Sequence, residues 1–292
     1  MVEPATRTVR HTRIRANGIE FHVALAGRDD APLLLCLHGF PECWYSWRHQ
    51  LEKLSEHYLV AAPDLRGYGE TDKPAGGYDL PTLSADVVAL IAALGRESAF
   101  LTGHDWGGFV AYAAAARYPA AVDRLVVMNC PHPAAVTAGL RSLDQLRRSW
   151  YVFAMQIPGL FDWRLAKDDA AIVPRMFKSG ARRRDAFTDQ DLEVFRASFA
   201  RPGVIPAALE YYRTNLSPLG LIRGRMDVPQ VRCPSLVLYG RNDPFVGPNL
   251  FHGHEAHFAG SYEIRYIPDC GHWTQQEHPD LVNDALVDFF DR

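Results

Sequence analysis

With 292 residues, 48% of them hydrophobic and 22% charged, the chain can bury a large core with room for an insertion, which excludes disorder over most of its length. A net charge of −3 with a sequence pI near 6.5 gives no footprint for nucleic acid or an anionic membrane surface. Five scattered cysteines, odd in number, exclude a disulfide framework, and no segment reaches the roughly 18 apolar residues of a membrane span.

Residues 1–7 lack a basic region followed by an apolar run, so the expectation is a soluble, cytoplasmic protein with reduced thiols packed as small hydrophobes. The turn dipeptide Asn17-Gly18 precedes Ile19, Phe21, Val23 and Leu25, every second residue apolar, which predicts an opening hairpin with Arg7 to Arg15 as its first arm. Leu33 to Leu37 is a continuous apolar run, the pattern of a central strand covered on both faces. A helix carrying Trp44, Trp47, Leu51 and Leu54 follows. Then come a strand at Tyr58 to Ala62, a helix at Leu83 to Leu94, a strand at Ala99 to Thr102, a helix at Trp106 to Arg117 and a strand at Leu125 to Met128. Alternating strands and helices predict an α/β fold with a mostly parallel sheet and helices on both faces.

After Pro133 the rhythm stops for about 95 residues rich in arginine and aromatics, and it resumes near Val231. The gap predicts a helical cap, residues 134–226, inserted into one core formed by 1–133 and 227–292. Strands at Ser235 to Tyr239 and Glu263 to Ile267 and a helix from Pro279 to Phe290 complete that core.

Three loops at predicted strand ends carry the chemistry. Gly103-His104-Asp105-Trp106-Gly107 has the small-x-nucleophile-x-small spacing of a strand-turn-helix elbow, with aspartate where serine is usual. Asp243 follows one strand and His272 the last, so the chain order is nucleophile, acid, histidine, and in open parallel sheets strand C-termini line the ligand crevice. Asp105 alone would suit a helix N-cap and Asp243 a turn before proline; their joint order and placement favour a catalytic set. A carboxylate is already ionised at neutral pH and attacks carbon without a base, whereas releasing the resulting ester needs a histidine to activate water. Backbone amides of Phe40 and Trp106 are the expected oxyanion donors.

The segments His38-Gly39-Phe40-Pro41-Glu42-Cys43-Trp44-Tyr45-Ser46-Trp47-Arg48, Gly103-His104-Asp105-Trp106-Gly107-Gly108 and Cys270-Gly271-His272-Trp273 resemble motifs of the soluble-type epoxide hydrolases of the α/β-hydrolase fold. The resemblance implies an epoxide and water as substrates, a vicinal diol as product, and no cofactor or metal. It also implies two cap tyrosines that hold the epoxide oxygen. Tyr151, seven residues before Pro158-Gly159, resembles the first, and Tyr212 the second, with adjacent Tyr211 as the alternative. Phenols with a pKa near 10 stay protonated at neutral pH and can donate to a departing alkoxide. Activity is expected to fall as pH drops through the His272 pKa, ordinarily about 6.5. No nucleic-acid or membrane partner is implied, and a homodimer is left open.

Two rivals share the fold. A haloalkane dehalogenase also uses an elbow aspartate, but Phe40 and the paired tyrosines suit an alkoxide better than a halide. A non-catalytic receptor would be expected to lack a member of the Asp105, Asp243, His272 set. Phe251 to His257 carries ligand-type histidines yet has no second distant cluster, so it is predicted to be a solvated helix start, and Arg182-Arg183-Arg184 a solvated cap face.

Overall fold

The computed structural model describes residues 8–139 and 142–292; Arg7, at the head of the expected first arm, lies outside them. Arg10–Ala16 (β1) and Ile19–Ala26 (β2) form the opening hairpin, with Arg10 opposite Leu25 and Ala16 opposite Ile19. Asn17 and Gly18 both take positive φ, 43° and 82°, as a two-residue turn matched to strand twist requires.

Leu33–Leu37 (β3) leads through a 3₁₀ turn at Trp44–Trp47 into Arg48–Leu54 (α1), then Leu59–Pro63 (β4). Leu80–Ala93 (α2) starts three residues before the sequence pattern suggests, because the Asp79 side chain accepts the Thr82 amide at 3.2 Å and Pro81 occupies the first turn. Ala99–His104 (β5), Trp106–Arg117 (α3) and Val122–Met128 (β6) follow.

Among the described residues eight α-helical segments then intervene: Pro133–Gly139 (α4), Leu143–Arg148 (α5), Trp150–Ala154 (α6), Leu160–Ala170 (α7), Val173–Gly180 (α8), Asp189–Phe199 (α9), Val204–Asn215 (α10) and Pro218–Ile222 (α11), with a 3₁₀ turn at Arg184–Ala186. The core resumes with Ser235–Gly240 (β7), Tyr262–Ile267 (β8), Thr274–Glu277 (α12) and Pro279–Phe290 (α13).

The sheet has eight strands in the order β1-β2-β4-β3-β5-β6-β7-β8; β1 and β2 pair antiparallel, β2 joins β4 antiparallel, and the rest run parallel. The unbroken apolar run of β3 follows from this placement. Leu33, Leu35 and Leu37 pack with α2 and α3 on one face, while Leu34 and Cys36 pack with α1 and α13 on the other, so neither face tolerates a polar residue. All five cysteines are buried free thiols, and among the described residues no helix is long and apolar enough to cross a membrane.

The histidine-rich segment departs from expectation. Pro248–Phe251 and His254–His257 form two 3₁₀ turns in place of a helix start, and although His252 and Glu255 are exposed as expected, His254 is fully buried. Its Nε2 accepts the His132 amide at 2.7 Å and its Nδ1 pairs with the Tyr262 hydroxyl at 2.9 Å, while His257 stacks on His132 at 4.5 Å. Burial holds both His132 and His254 at a pKa of about 3, so they are neutral packing groups. Arg182, Arg183 and Arg184 are exposed on the cap, as the sequence suggests.

Candidate active site

Strand β5 passes into α3 with one residue between them, and that residue, Asp105, is held at φ 49°, ψ −119°. A non-glycine residue there carries strain of about 1–3 kcal/mol, which the surrounding packing must impose. Glycine on either side makes the turn feasible: a Cβ on Gly103 would lie 2.4 Å from the Gly107 carbonyl oxygen, and one on Gly107 only 2.2 Å from that of Leu37. Asp105 occupies the N-cap position of α3, yet its side chain makes no capping bond. Its Oδ1 instead accepts the Phe40 amide at 2.9 Å, and Phe40-Pro41 is a cis peptide. Trp106 opens α3, so its N–H is one of those without an intrahelical acceptor and points to the same end of the helix.

His272 follows β8 and Asp243 follows β7, so both arrive at the carboxyl edge of the sheet beside the elbow. His272 Nδ1 donates to Asp243 Oδ2 at 2.7 Å, and its Nε2 lies 3.6 Å from Asp105 Oδ2, a charge contact longer than a hydrogen bond. The Asp105 side chain is 18% exposed while that of Asp243 is 0% exposed, so only the first is open to a small molecule. Asp243 Oδ1 also accepts the amides of Phe245 at 2.7 Å and Val246 at 3.0 Å. Burial alone would lower the imidazole pKa, but the charge of Asp243, the close contact with Asp105 and the hydrogen bond to Asp243 outweigh it and raise it to about 10. The resting imidazole is therefore cationic, contrary to the ordinary value near 6.5 that the sequence suggests. Burial would push Asp105 upward, yet His272, then His104 and the Phe40 amide, hold it below the usual carboxylate range.

Behind this set stand groups whose role the motifs alone do not reveal. Asn129, at the end of β6, donates to Asp243 Oδ2 at 2.7 Å and to the Gly271 carbonyl at 3.0 Å, tying acid and histidine loops together. His104 pairs through Nδ1 with Glu42 at 2.7 Å and through Nε2 with the His272 carbonyl at 2.8 Å. Glu277 accepts the amides of Gly271, Trp273, Arg182 and Arg183, and the His272 amide donates to Gly180 at the end of α8 at 2.9 Å. The signal for Asn129 was its position: it directly follows β6 as Asp105 follows β5, on the same sheet edge as the loops after β7 and β8 that carry Asp243 and His272.

A cavity of about 260 Å³ lies between the sheet's carboxyl edge and the helices that follow β6, and its lining includes Phe40, Asp105, Tyr151, Tyr212, Phe245 and His272. The rings of Tyr151 and Tyr212 are 6.4 Å apart, and Tyr212 packs edge-on against Trp106 at 5.0 Å and Phe40 at 5.3 Å. Burial first and the Asp105 charge second raise both phenols far above their usual range, so they stay protonated. Tyr211, one residue away, turns from the cavity and donates to the Arg66 carbonyl at 2.8 Å. An ionised carboxylate, a cationic imidazole and two phenols thus share a small, largely apolar chamber.

A family model described as the alpha/beta hydrolase fold matches residues 32–279. The chain is 36% identical over 294 residues to epoxide hydrolase 4 of Homo sapiens, which covers 98% of this chain and 80% of that protein. It is 34% identical over 286 residues to epoxide hydrolase 3 of Xenopus tropicalis, covering 96% of this chain and 77% of that one. A crystal structure of an epoxide hydrolase from Bacillus megaterium with an inhibitor superposes with a TM-score of 0.88 at 28% identity, covering 96% of this chain and 100% of that one.

Proposed function

Because the chain belongs to the α/β-hydrolase fold family and, within it, to the epoxide hydrolases, we propose that it adds water to epoxides through an ester on Asp105. The observation that carries the assignment of residues is the single carboxylate of the cavity lining, on a strained elbow, in one chamber with Tyr151 and Tyr212. Residues 134–226 serve as the cap that brings the phenols over the nucleophile.

Asp105 Oδ1 is engaged by the Phe40 amide, which leaves Oδ2 to attack an epoxide carbon. As that bond forms the ring C–O bond breaks, and the alkoxide takes a proton from Tyr151 or Tyr212. Alkylation discharges Asp105. One of the influences holding His272 cationic is lost, its pKa falls, and the proton it sheds restores the phenol directly or through solvent. Neutral His272, oriented by Asp243, then takes a proton from water attacking the Asp105 carboxyl carbon. The oxyanion develops on Oδ1, already at the Phe40 amide, with the Trp106 amide as second donor. Collapse breaks the bond to the alkyl oxygen, which takes the proton from His272 and leaves as the diol, and the acid left on Asp105 returns its own proton to His272, restoring the carboxylate and the cationic imidazole.

Single turnover in oxygen-18 water tests this route. The first diol is expected to carry unlabelled oxygen from Asp105, and the label is expected in that aspartate by peptide mass spectrometry; label in the first diol instead would exclude the ester.

Turnover is expected to weaken in acid with an apparent pKa well below the resting His272 value, because the group that titrates is the imidazole facing a neutral ester. Below that pKa the ester should accumulate, since a cationic imidazole cannot accept a proton. Rapid-quench measurement of ester and diol between pH 5 and 10 reads this, and an acid limb centred near the resting value would contradict the discharge step.

Tyr151→Phe or Tyr212→Phe is expected to lower kcat/KM by about tenfold or more, and the double variant by about 10²–10⁴-fold, the range for loss of general-acid assistance. Tyr211→Phe should leave kcat/KM nearly unchanged and lower stability by about 1 kcal/mol, the net worth of its bond to Arg66.

A further inference from the structure

Among the described residues, the cavity lining holds one charged side chain besides Asp105 and His272, that of Arg164. It lies on α7, where Phe161, Arg164 and Leu165 all line the cavity; their i, i+3, i+4 spacing puts them on one helix face. That face is otherwise apolar, and a cation needing only solvent has no reason to occupy it. Among the described residues Arg164 makes no hydrogen bond or ion pair. Of the acids on α7, Asp162 pairs with Arg213 at 2.6 Å and Asp169 with Arg196, while exposed Asp168 lies where the helix loses its regular backbone and makes no ion pair with Arg164. Lys167 lies over the Trp163 ring at 5.9 Å. Arg164 is exposed, so it stands where the chamber meets solvent, with a guanidinium whose fork of donors matches a carboxylate.

We infer, on the reading that Asp105 opens epoxides, that Arg164 selects substrates bearing a single anionic group remote from the epoxide ring. The apolar body of such a molecule fills the chamber, the ring meets Asp105 and the phenols, and the anion remains at the rim. An anion placed the other way round would face the Asp105 carboxylate, so Arg164 also sets the direction of entry.

The test uses an alkanoate with a terminal epoxide and its methyl ester, assayed by diol formation with the wild type, Arg164→Gln and Arg164→Lys. The wild type is expected to show a KM on the order of tenfold lower for the carboxylate at similar kcat, the effect of one charge-assisted contact. Arg164→Gln should erase that preference by raising the carboxylate's KM about tenfold with a much smaller effect on the ester's, and Arg164→Lys should restore part of it. Diol from both substrates with equal KM, or a preference that survives Arg164→Gln, overturns the role of Arg164 alone. Absence of diol from both overturns the epoxide reading and this inference with it.

Discussion

Asp105→Ala is expected to remove diol formation by a factor on the order of 10⁴–10⁶, the scale seen when a covalent nucleophile is deleted. Among the described residues Asp105 is the sole carboxylate of the cavity lining, so no second oxygen anion there stands ready to attack carbon. Direct attack by water would forgo the advantage of a nucleophile fixed by the elbow and the Phe40 amide. A second readout separates lost chemistry from lost structure. Asp105 helps raise the His272 pKa, so NMR titration of the variant should find that imidazole less basic than in the wild type while the remaining spectrum stays native. A variant that folds, shows the lowered imidazole pKa and still turns over epoxide would overturn the assignment.

His272→Gln should separate the two halves of the reaction. The carboxylate and the phenols remain, so alkylation proceeds, whereas hydrolysis loses its base. One equivalent of epoxide per chain is expected to bind covalently, adding the full mass of the epoxide because ring opening expels no group. Turnover should fall by about 10³-fold or more. Intact-protein mass spectrometry followed by peptide mapping should place the adduct on Asp105. An inactive, folded variant without adduct would mean that His272 is needed for the first step, and the division of labour proposed above would be wrong.

Much of the core was legible because its signals are local. Leu33 to Leu37, Trp106 to Arg117 and Pro279 to Phe290 have the bounds read from the sequence, each set by an apolar run or periodicity with a clear stop. The elbow was equally plain, since the glycines around Asp105 answer a steric demand of the turn itself. Contacts between distant segments were not. Tyr211 and Tyr212 differ by one helical step, about 100°, and only the packing of α10 against the core decides which faces the cavity. His254 looked like a surface residue until His132 and Tyr262, far apart in sequence, closed around it. The basicity of His272 depends on the summed field of Asp243 and Asp105, which a motif does not encode.

Glu277 gives the closed chamber a mechanical rule. Its carboxylate clasps the amides on either side of His272 together with those of Arg182 and Arg183, just beyond α8. Lifting that edge of the cap would strip the imidazole loop of its anchor and misalign the base. Traffic of reactant and diol is therefore expected on the side of α6 and α7, where exposed Trp150 and Arg164 belong to the cavity lining, with the α8 edge acting as a fixed jamb.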